Sequence, residues 1–250
     1  MKLSGNTILI TGGATGIGFA LAESFLAKGN KVIICGRRTD KLLEAKHKYP
    51  DIHFRPCDVT KEDERRALCQ WAVSAFKNLN VLVNNAGIQR MLDFKDGEKV
   101  FAEAEKEIIT NFTALVHLSA LFTPHLMQQN ESAIINISSG LAFIPIALMP
   151  VYCATKAAIH SFTVSLRHQL KNTSVKVFEA IPPTVDTELD QGTREKRGIK
   201  KRGIKPEQVA AETLPAIEKN EYEFTIGYAD NLRTGSKKSF EQLFESMNSA

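Results

Sequence analysis

Short apolar runs alternate along this chain with longer segments of helical period, and that alternation leaves few folds open. A strand buried on both faces reads as a continuous apolar run, and parallel neighbours need a crossover helix between them. Thr7–Thr11 reads as the first strand, and Gly16–Lys28 as a helix with Ile17, Leu21 and Phe25 on one face and Gly29 as its stop. Further strands are expected at Lys31–Cys35, Ile52–Cys57, Val81–Val83, Ala133–Ile137, Val175–Ile181 and Glu223–Ile226. Helices are expected at Lys41–Lys48, after a capping box made by Thr60 and Asp63, at about Glu98–Gln128 with a bend before Pro124, and at Tyr152–Leu170. No repeat or linker divides the 250 residues. The pattern predicts one α/β domain: a doubly wound, mainly parallel seven-stranded sheet with helices on both faces. Ligands of such sheets bind beyond the carboxyl ends of the strands.

Composition narrows the class further. The first apolar run, Ile8 to Ile10, is far shorter than the roughly 7–15 residues of a secretory signal, and no window approaches the ~20 of a membrane span. A cytoplasmic protein is expected. Cys35, Cys57, Cys69 and Cys153 form no Cys-x-x-Cys pair, so they read as reduced thiols, and no metal site is expected. Between Arg194 and Lys205, seven basic residues and one acid give +6, which leaves −2 for the remainder of a chain whose total is +4.

Two stretches carry chemistry on their own terms. Thr11-Gly12-Gly13-Ala14-Thr15-Gly16-Ile17-Gly18 joins the first strand to the first helix. Glycines let a backbone turn tightly against a pyrophosphate, and the helix start offers unpaired N–H groups and a positive dipole end. Tyr152 and Lys156 lie four apart on a helix and so share a face. A free phenol has a pKa of roughly 10, and a neighbouring ammonium favours its phenolate.

The glycines at 12, 16 and 18, then Asn84-Asn85-Ala86-Gly87, then Tyr152-x-x-x-Lys156, follow one another in an order that resembles the short-chain dehydrogenase/reductase family. The likeness runs from Thr7 to about Leu189 and implies a Rossmann-type fold. Over Ile134–Phe143, Pro150–Leu170 and Pro182–Leu189 it is nearest the DltE-type subgroup, which names no substrate. The resemblance implies that Gly12, Thr15, Gly16, Ile17 and Gly18 hold the pyrophosphate side of a nicotinamide cofactor. It sets Asp58 and Val59 at the adenine, Asn84, Ala86 and Gly87 under the ribose and nicotinamide, and Pro182, Val185 and Thr187 at the nicotinamide amide. It further implies that Lys156 binds the nicotinamide ribose beside Tyr152. Of Ser138 and Ser139, the family's spacing to the tyrosine selects Ser139 to polarise a substrate carbonyl. Asn111 matches an asparagine that supports a water-mediated relay to the lysine. One departure is Pro182-Pro183, where the family usually has Pro-Gly.

Cofactor choice is set after the second strand. Cys35-Gly36-Arg37-Arg38 offers no carboxylate for a ribose diol, whereas a guanidinium binds phosphate bidentately, so NADP(H) is expected, with Arg37 the principal contact and Arg38 beside it. The alternative is that both arginines are solvated turn charges. The expected reaction is hydride transfer between cofactor and a small-molecule carbonyl or alcohol, with Tyr152 as general acid/base and Ser139 stabilising the oxyanion.

The segment Gly140–Val151 is uncharged and apolar, and it reads either as a wall of the substrate pocket or as packing under a lid or in a subunit contact. A substrate lid is expected at about 187–218. Its basic run attracts an acidic substrate or an anionic surface, or is merely solvated. His160, one turn beyond Lys156, reads as a packed or surface histidine. The resemblance implies a homodimer or homotetramer through the long helices. Competing readings are a non-catalytic NADP(H)-binding sensor or scaffold on the same fold, and an epimerase or dehydratase. Nucleic-acid binding lacks any recognition motif.

Overall fold

A computed structural model describes residues 1–189 and 203–248. Its strands are β1 (Thr7–Thr11), β2 (Lys31–Gly36), β3 (His53–Pro56), β4 (Leu79–Asn84), β5 (Ser132–Ile137), β6 (Val175–Ile181) and β7 (Glu223–Thr225). They form one parallel sheet in the order β3-β2-β1-β4-β5-β6-β7. The helices are α1 (Gly16–Ala27), α2 (Thr39–Lys48), α3 (Glu62–Ala75), α4 (Phe101–Ile108), α5 (Ala114–Leu126), α6 (Pro150–Gln169), α7 (Pro206–Glu218), α8 (Ala229–Ser236) and α9 (Phe240–Asn248). Strand order reverses between β1 and β4, which opens a crevice at their carboxyl ends.

Alternate residues of each strand feed two cores. Ile8 and Ile10 of β1 pack with Leu21 and Phe25 of α1 and Leu214 and Ile217 of α7. Leu9 points the other way, to Leu68 of α3, Phe122 of α5 and Leu166 of α6. Each such side chain, withdrawn from water, contributes about 1.5–3 kcal/mol, so the central strands are anchored from both sides. Among the described residues no helix is long and apolar enough to cross a membrane.

Three local expectations are corrected. The long helix begins at Phe101, after a 3-10 segment (Phe94–Val100) in which Gly97 takes φ 62°, and a π-helical turn at Ile109–Thr113 separates α4 from α5. No capping box forms at Thr60. The Asp58 carboxylate takes both the Thr60 N–H (3.0 Å) and its hydroxyl (2.8 Å), so α3 starts one residue later, behind Lys61. Of the expected lid, Pro206–Glu218 is instead helix α7, with Val209, Ala210 and Ile217 buried in the core beside α1. Residues 190–202, and with them most of the basic run from 194 to 205, lie outside the described residues.

Candidate active site

The turn after β1 is built for close approach. Gly12 and Gly16 adopt φ +62° and +56°, which side chains resist, and a Cβ on Gly12 would meet the Ala86 Cα at 3.0 Å. Asn85 ties the turn to β4: its Nδ2 donates to the carbonyls of Thr11 (2.9 Å) and Gly12 (3.2 Å). The Thr11 hydroxyl accepts the N–H groups of Asn85 and Ala86, both at 3.0 Å. Helix α1 opens at Thr15 with no side-chain cap and no acid in its first turn, the arrangement that suits an anion. Gly18 has a different task. A Cβ there would lie 2.4 Å from the Gly12 carbonyl oxygen. Gly18→Ala is therefore expected to destabilise the protein by about 1–3 kcal/mol, read as a lowered thermal midpoint. An unchanged midpoint would mean the turn relaxes at no cost.

The loops beyond the carboxyl ends of the strands wall the crevice. Gly12, Thr15, Gly16 and Ile17 supply one side, and Arg37 and Arg38 close one end. Val59, Ala86 and Gly87 line the middle. Ser139, Tyr152 and Lys156 stand at the other end, roofed by Pro182, Val185 and Thr187. The Arg38 guanidinium donates to the Thr15 hydroxyl (3.0 Å) and pairs with Glu188 (2.8 Å), so it bridges the cleft mouth. Three expected contacts do not line the crevice. Gly18 is turned against Gly12, Asp58 is held by Thr60, and Asn84 is buried between strands, donating to Asn136 Oδ1 (2.9 Å) and Ser119 Oγ (3.1 Å). Asn85, quoted in the motif but given no role, is the residue that braces the glycine turn.

Tyr152 sits in the first turn of α6, which Pro150 opens at a position where a missing N–H costs nothing. One turn on, the Lys156 ammonium lies 5.6 Å from the Tyr152 ring centre and donates to the Ile137 carbonyl at 2.9 Å. Burial pulls Lys156 down to about 8, against the pull of the Glu107 and Glu179 charges. Ser139 and Ser138 part ways here. Ser138 Oγ faces the Ala180 carbonyl, whereas Ser139 caps a 3-10 turn (Gly140–Ala142) and lines both the crevice and a second pocket. Asn111 lies behind the wall, in the π turn. Its Oδ1 accepts from Ile88 N (2.8 Å), and its Nδ2 donates to Ile88 O (2.9 Å) and Thr155 Oγ1 (3.2 Å). Thr155, missed in the sequence, passes this bracing to the Tyr152 carbonyl at 2.7 Å.

The second pocket encloses about 290 Å³. Ser139 and Tyr152 stand on its floor, and its walls include Leu141, Ile146, Leu189, Tyr228, Leu232 and Met247. The apolar segment Gly140–Val151 thus divides. Leu141 and Ile146 face the pocket, Ile144 and Met149 are buried, and Leu148 is exposed. The α9 end is fastened over it: Asn248 accepts from Ala147 N and donates to the Pro145 carbonyl (3.2 Å). Pro183 is accommodated as a pocket residue, and Gly140 N donates to the Pro182 carbonyl at 2.9 Å. His160 is packed, with its ring edge-on to Phe143 and its Nδ1 2.9 Å from Glu179, whose carboxylate raises its pKa. Glu223 joins these two within 4.8 Å, a grouping the spacing does not foretell, but Arg233 (2.5 Å) and Arg167 (3.7 Å) already engage it.

Comparison with known proteins gives this geometry its context. An oxidoreductase of Bacillus subtilis called DltE, itself described as uncharacterized, is 52% identical over 99% of this chain and 98% of its own length. A short-chain dehydrogenase from Burkholderia cenocepacia, solved in complex with NADP, superposes with TM-score 0.85 at 26% identity over 99% of both chains. One from Burkholderia phymatum, solved with NAD, shares the fold at TM-score 0.87 and 22% identity, over 100% of this chain and 98% of its own. The model of the short chain dehydrogenase family matches residues 6–198. With that match, and with a relative so similar over its whole length, the chain belongs to the short-chain dehydrogenase/reductase family of oxidoreductases, in its DltE-type branch.

Proposed function

We propose that this protein is an NADP(H)-dependent oxidoreductase that interconverts a carbonyl and an alcohol, with Tyr152 as general acid/base. One observation carries the reading: Ser139 and Tyr152 line both the dinucleotide crevice and the apolar pocket, so a molecule in either meets the same two hydroxyls. The residues present fit the cofactor. An uncapped helix start faces the crevice behind glycines that leave it open, and two guanidinium groups stand where a carboxylate would exclude an extra phosphate. Gly12, Thr15, Gly16 and Ile17 would hold its pyrophosphate, Arg37 and Arg38 its ribose phosphate, and Lys156 its nicotinamide ribose. When bound, the cofactor supplies or accepts the hydride.

The chain's own groups do the rest. In the reductive direction Tyr152 gives its phenolic proton to the carbonyl oxygen while Ser139 donates a hydrogen bond to the same oxygen as charge develops. The Lys156 ammonium favours the phenolate left behind, and in the oxidative direction that phenolate takes the alcohol proton back. Leu141, Ile146, Leu189 and Leu232 suit an apolar body of modest size, with Gln89, Thr184 and Asp186 also on the pocket wall. A sensor needs neither a hydroxyl pair at the junction nor a second pocket beyond it.

The test is consumption of NADPH, with an NADH arm, against neutral and acidic aldehydes and ketones of graded length. Neutral apolar compounds are expected to turn over best. Leu232→Glu is expected to raise their KM about tenfold or more, as a charge in an apolar wall should. Tight NADPH binding with no turnover anywhere would favour the sensor. Four free cysteines support the cytoplasm as its place. Exposed Phe101 and Ile108 on the α4 side and Val164 on α6 support a homodimer or homotetramer through those helices.

A further inference from the structure

Glu107 is a carboxylate where a core residue belongs. It lies at the end of α4, one turn before Asn111, and its side chain is fully buried. A charge in such a place is retained only against a large desolvation cost unless something compensates it. One oxygen is accounted for: Oε1 accepts the Arg90 N–H at 2.9 Å. The other, Oε2, is buried with no hydrogen-bond partner among the described residues. Arg90 itself is directed elsewhere, its Nε bound to Glu103 at 2.7 Å.

Its neighbours tie it to the site. Asn111 grips the backbone of Ile88 on both sides, and Glu107 grips the N–H of Arg90, so one helix face clamps the segment 88–90 at two points. Gln89, between the two points, lines the apolar pocket and donates its N–H to the Leu189 carbonyl at 3.2 Å. On its other side α4 packs against α6, which carries the buried Lys156, and the Glu107 charge favours the ammonium while burial opposes it. We propose that Glu107 is a positioning residue of the catalytic centre, whose carboxylate fixes the pocket-lining segment through Arg90 and serves as the buried counter-charge of the Lys156 ammonium. The proposal rests on the role of Lys156 in the proposed reaction.

Among the described residues, few charged groups surround this pair. Glu107 faces Arg90 from the loop after β4, Glu103 from its own helix and Lys156 from α6, and it adds to burial in raising the thiol pKa of Cys153. Lys156 faces Glu107 and, from β6, Glu179. Burial pushes Glu107 up to about 7, against the Arg90 N–H and the Arg90 and Lys156 charges. Lys156 stands at about 8, so both partners are charged between those two values. Below that window Glu107 takes a proton and the ammonium loses its counter-charge. Above it Lys156 loses its own proton.

Nuclear magnetic resonance of protein labelled at lysine Cε and glutamate Cδ tests this without cofactor or turnover, so a failure of the proposed reaction would not blur it. In the wild type, Lys156 is expected to titrate near 8 and Glu107 near 7. In Glu107→Gln the Lys156 midpoint should move about one pH unit lower, because the neutral amide keeps an acceptor for Arg90 and loses only the charge. Hydrogen exchange at the Arg90 amide should stay slow in Glu107→Gln and accelerate at least tenfold in Glu107→Leu, which has no acceptor. An unmoved Lys156 midpoint in Glu107→Gln overturns the counter-charge. Equal exchange in Glu107→Leu overturns the clamp. Should Glu107→Gln fail to fold, a wild-type Glu107 midpoint above that of Lys156 overturns the electrostatic role by itself, because the carboxyl would then be neutral wherever the lysine is charged.

Discussion

Tyr152→Phe is expected to lower kcat by about a thousandfold, the middle of the range for removing a general acid, while leaving affinity for NADPH within about threefold. The substitution deletes one oxygen and keeps the ring. The residue is 6% exposed and its ring lies 5.6 Å from the Lys156 ammonium, so packing and the cation–π contact both survive. The variant should therefore still fold and bind cofactor, and the proton transfer should fail. Stopped-flow measurement of NADPH oxidation beside fluorescence titration of the cofactor separates the two effects. A variant retaining a tenth of wild-type turnover would remove Tyr152 from the role of acid and would leave Ser139 to be examined as the group that meets the carbonyl.

Removing both guanidinium groups, in Arg37→Ala with Arg38→Ala, is expected to weaken NADPH binding by about ten- to a hundredfold and NADH binding by no more than threefold. A hydrogen bond to a charged group contributes about 1.5–3 kcal/mol, and two of them at the solvated end of a crevice can lose half of that and still reach this factor. The two residues should not contribute equally. Arg38 is already paired with Glu188, both ends being more than half exposed, so any new anion gains it only by exchange. Arg37 should carry the larger share, and the preference for NADPH should fade with added salt. Calorimetry with both cofactors checks this. Equal losses for NADH and NADPH would mean that the arginines shape the turn rather than read the phosphate.

The parts of this molecule that were legible in its sequence are those in which one physical demand acts alone. Ile8-Leu9-Ile10 must be a doubly buried strand because both of its faces have cores to fill. The glycines just after it are fixed by steric contacts of 2.4 to 3.0 Å that no side chain can enter. The features that escaped reading depend on two demands at once. Thr60 and Asp63 satisfy the capping pattern, but Asp58 competes for the same N–H and wins by proximity. Asn111 sits in a π turn that periodicity treats as ordinary helix. Asn84 and Gly18 match the motif, yet they support the crevice from behind rather than touch it. The short elements after β7 have apolar faces too brief to stand out, and their positions over the pocket depend on tertiary contacts such as those of Asn248 with Pro145 and Ala147.

Those last elements divide the molecule's labour along the chain. The match to the family ends at residue 198, and every group proposed to handle a proton or the dinucleotide lies before it. Tyr228, Leu232 and Met247, which complete the pocket wall begun by Leu141, Ile146 and Leu189, all lie after it. Drift in the final segment can therefore retune what is admitted without disturbing how it is transformed. An engineer could exchange residues 228–248 between relatives as a cassette and expect new preferences on an unaltered engine.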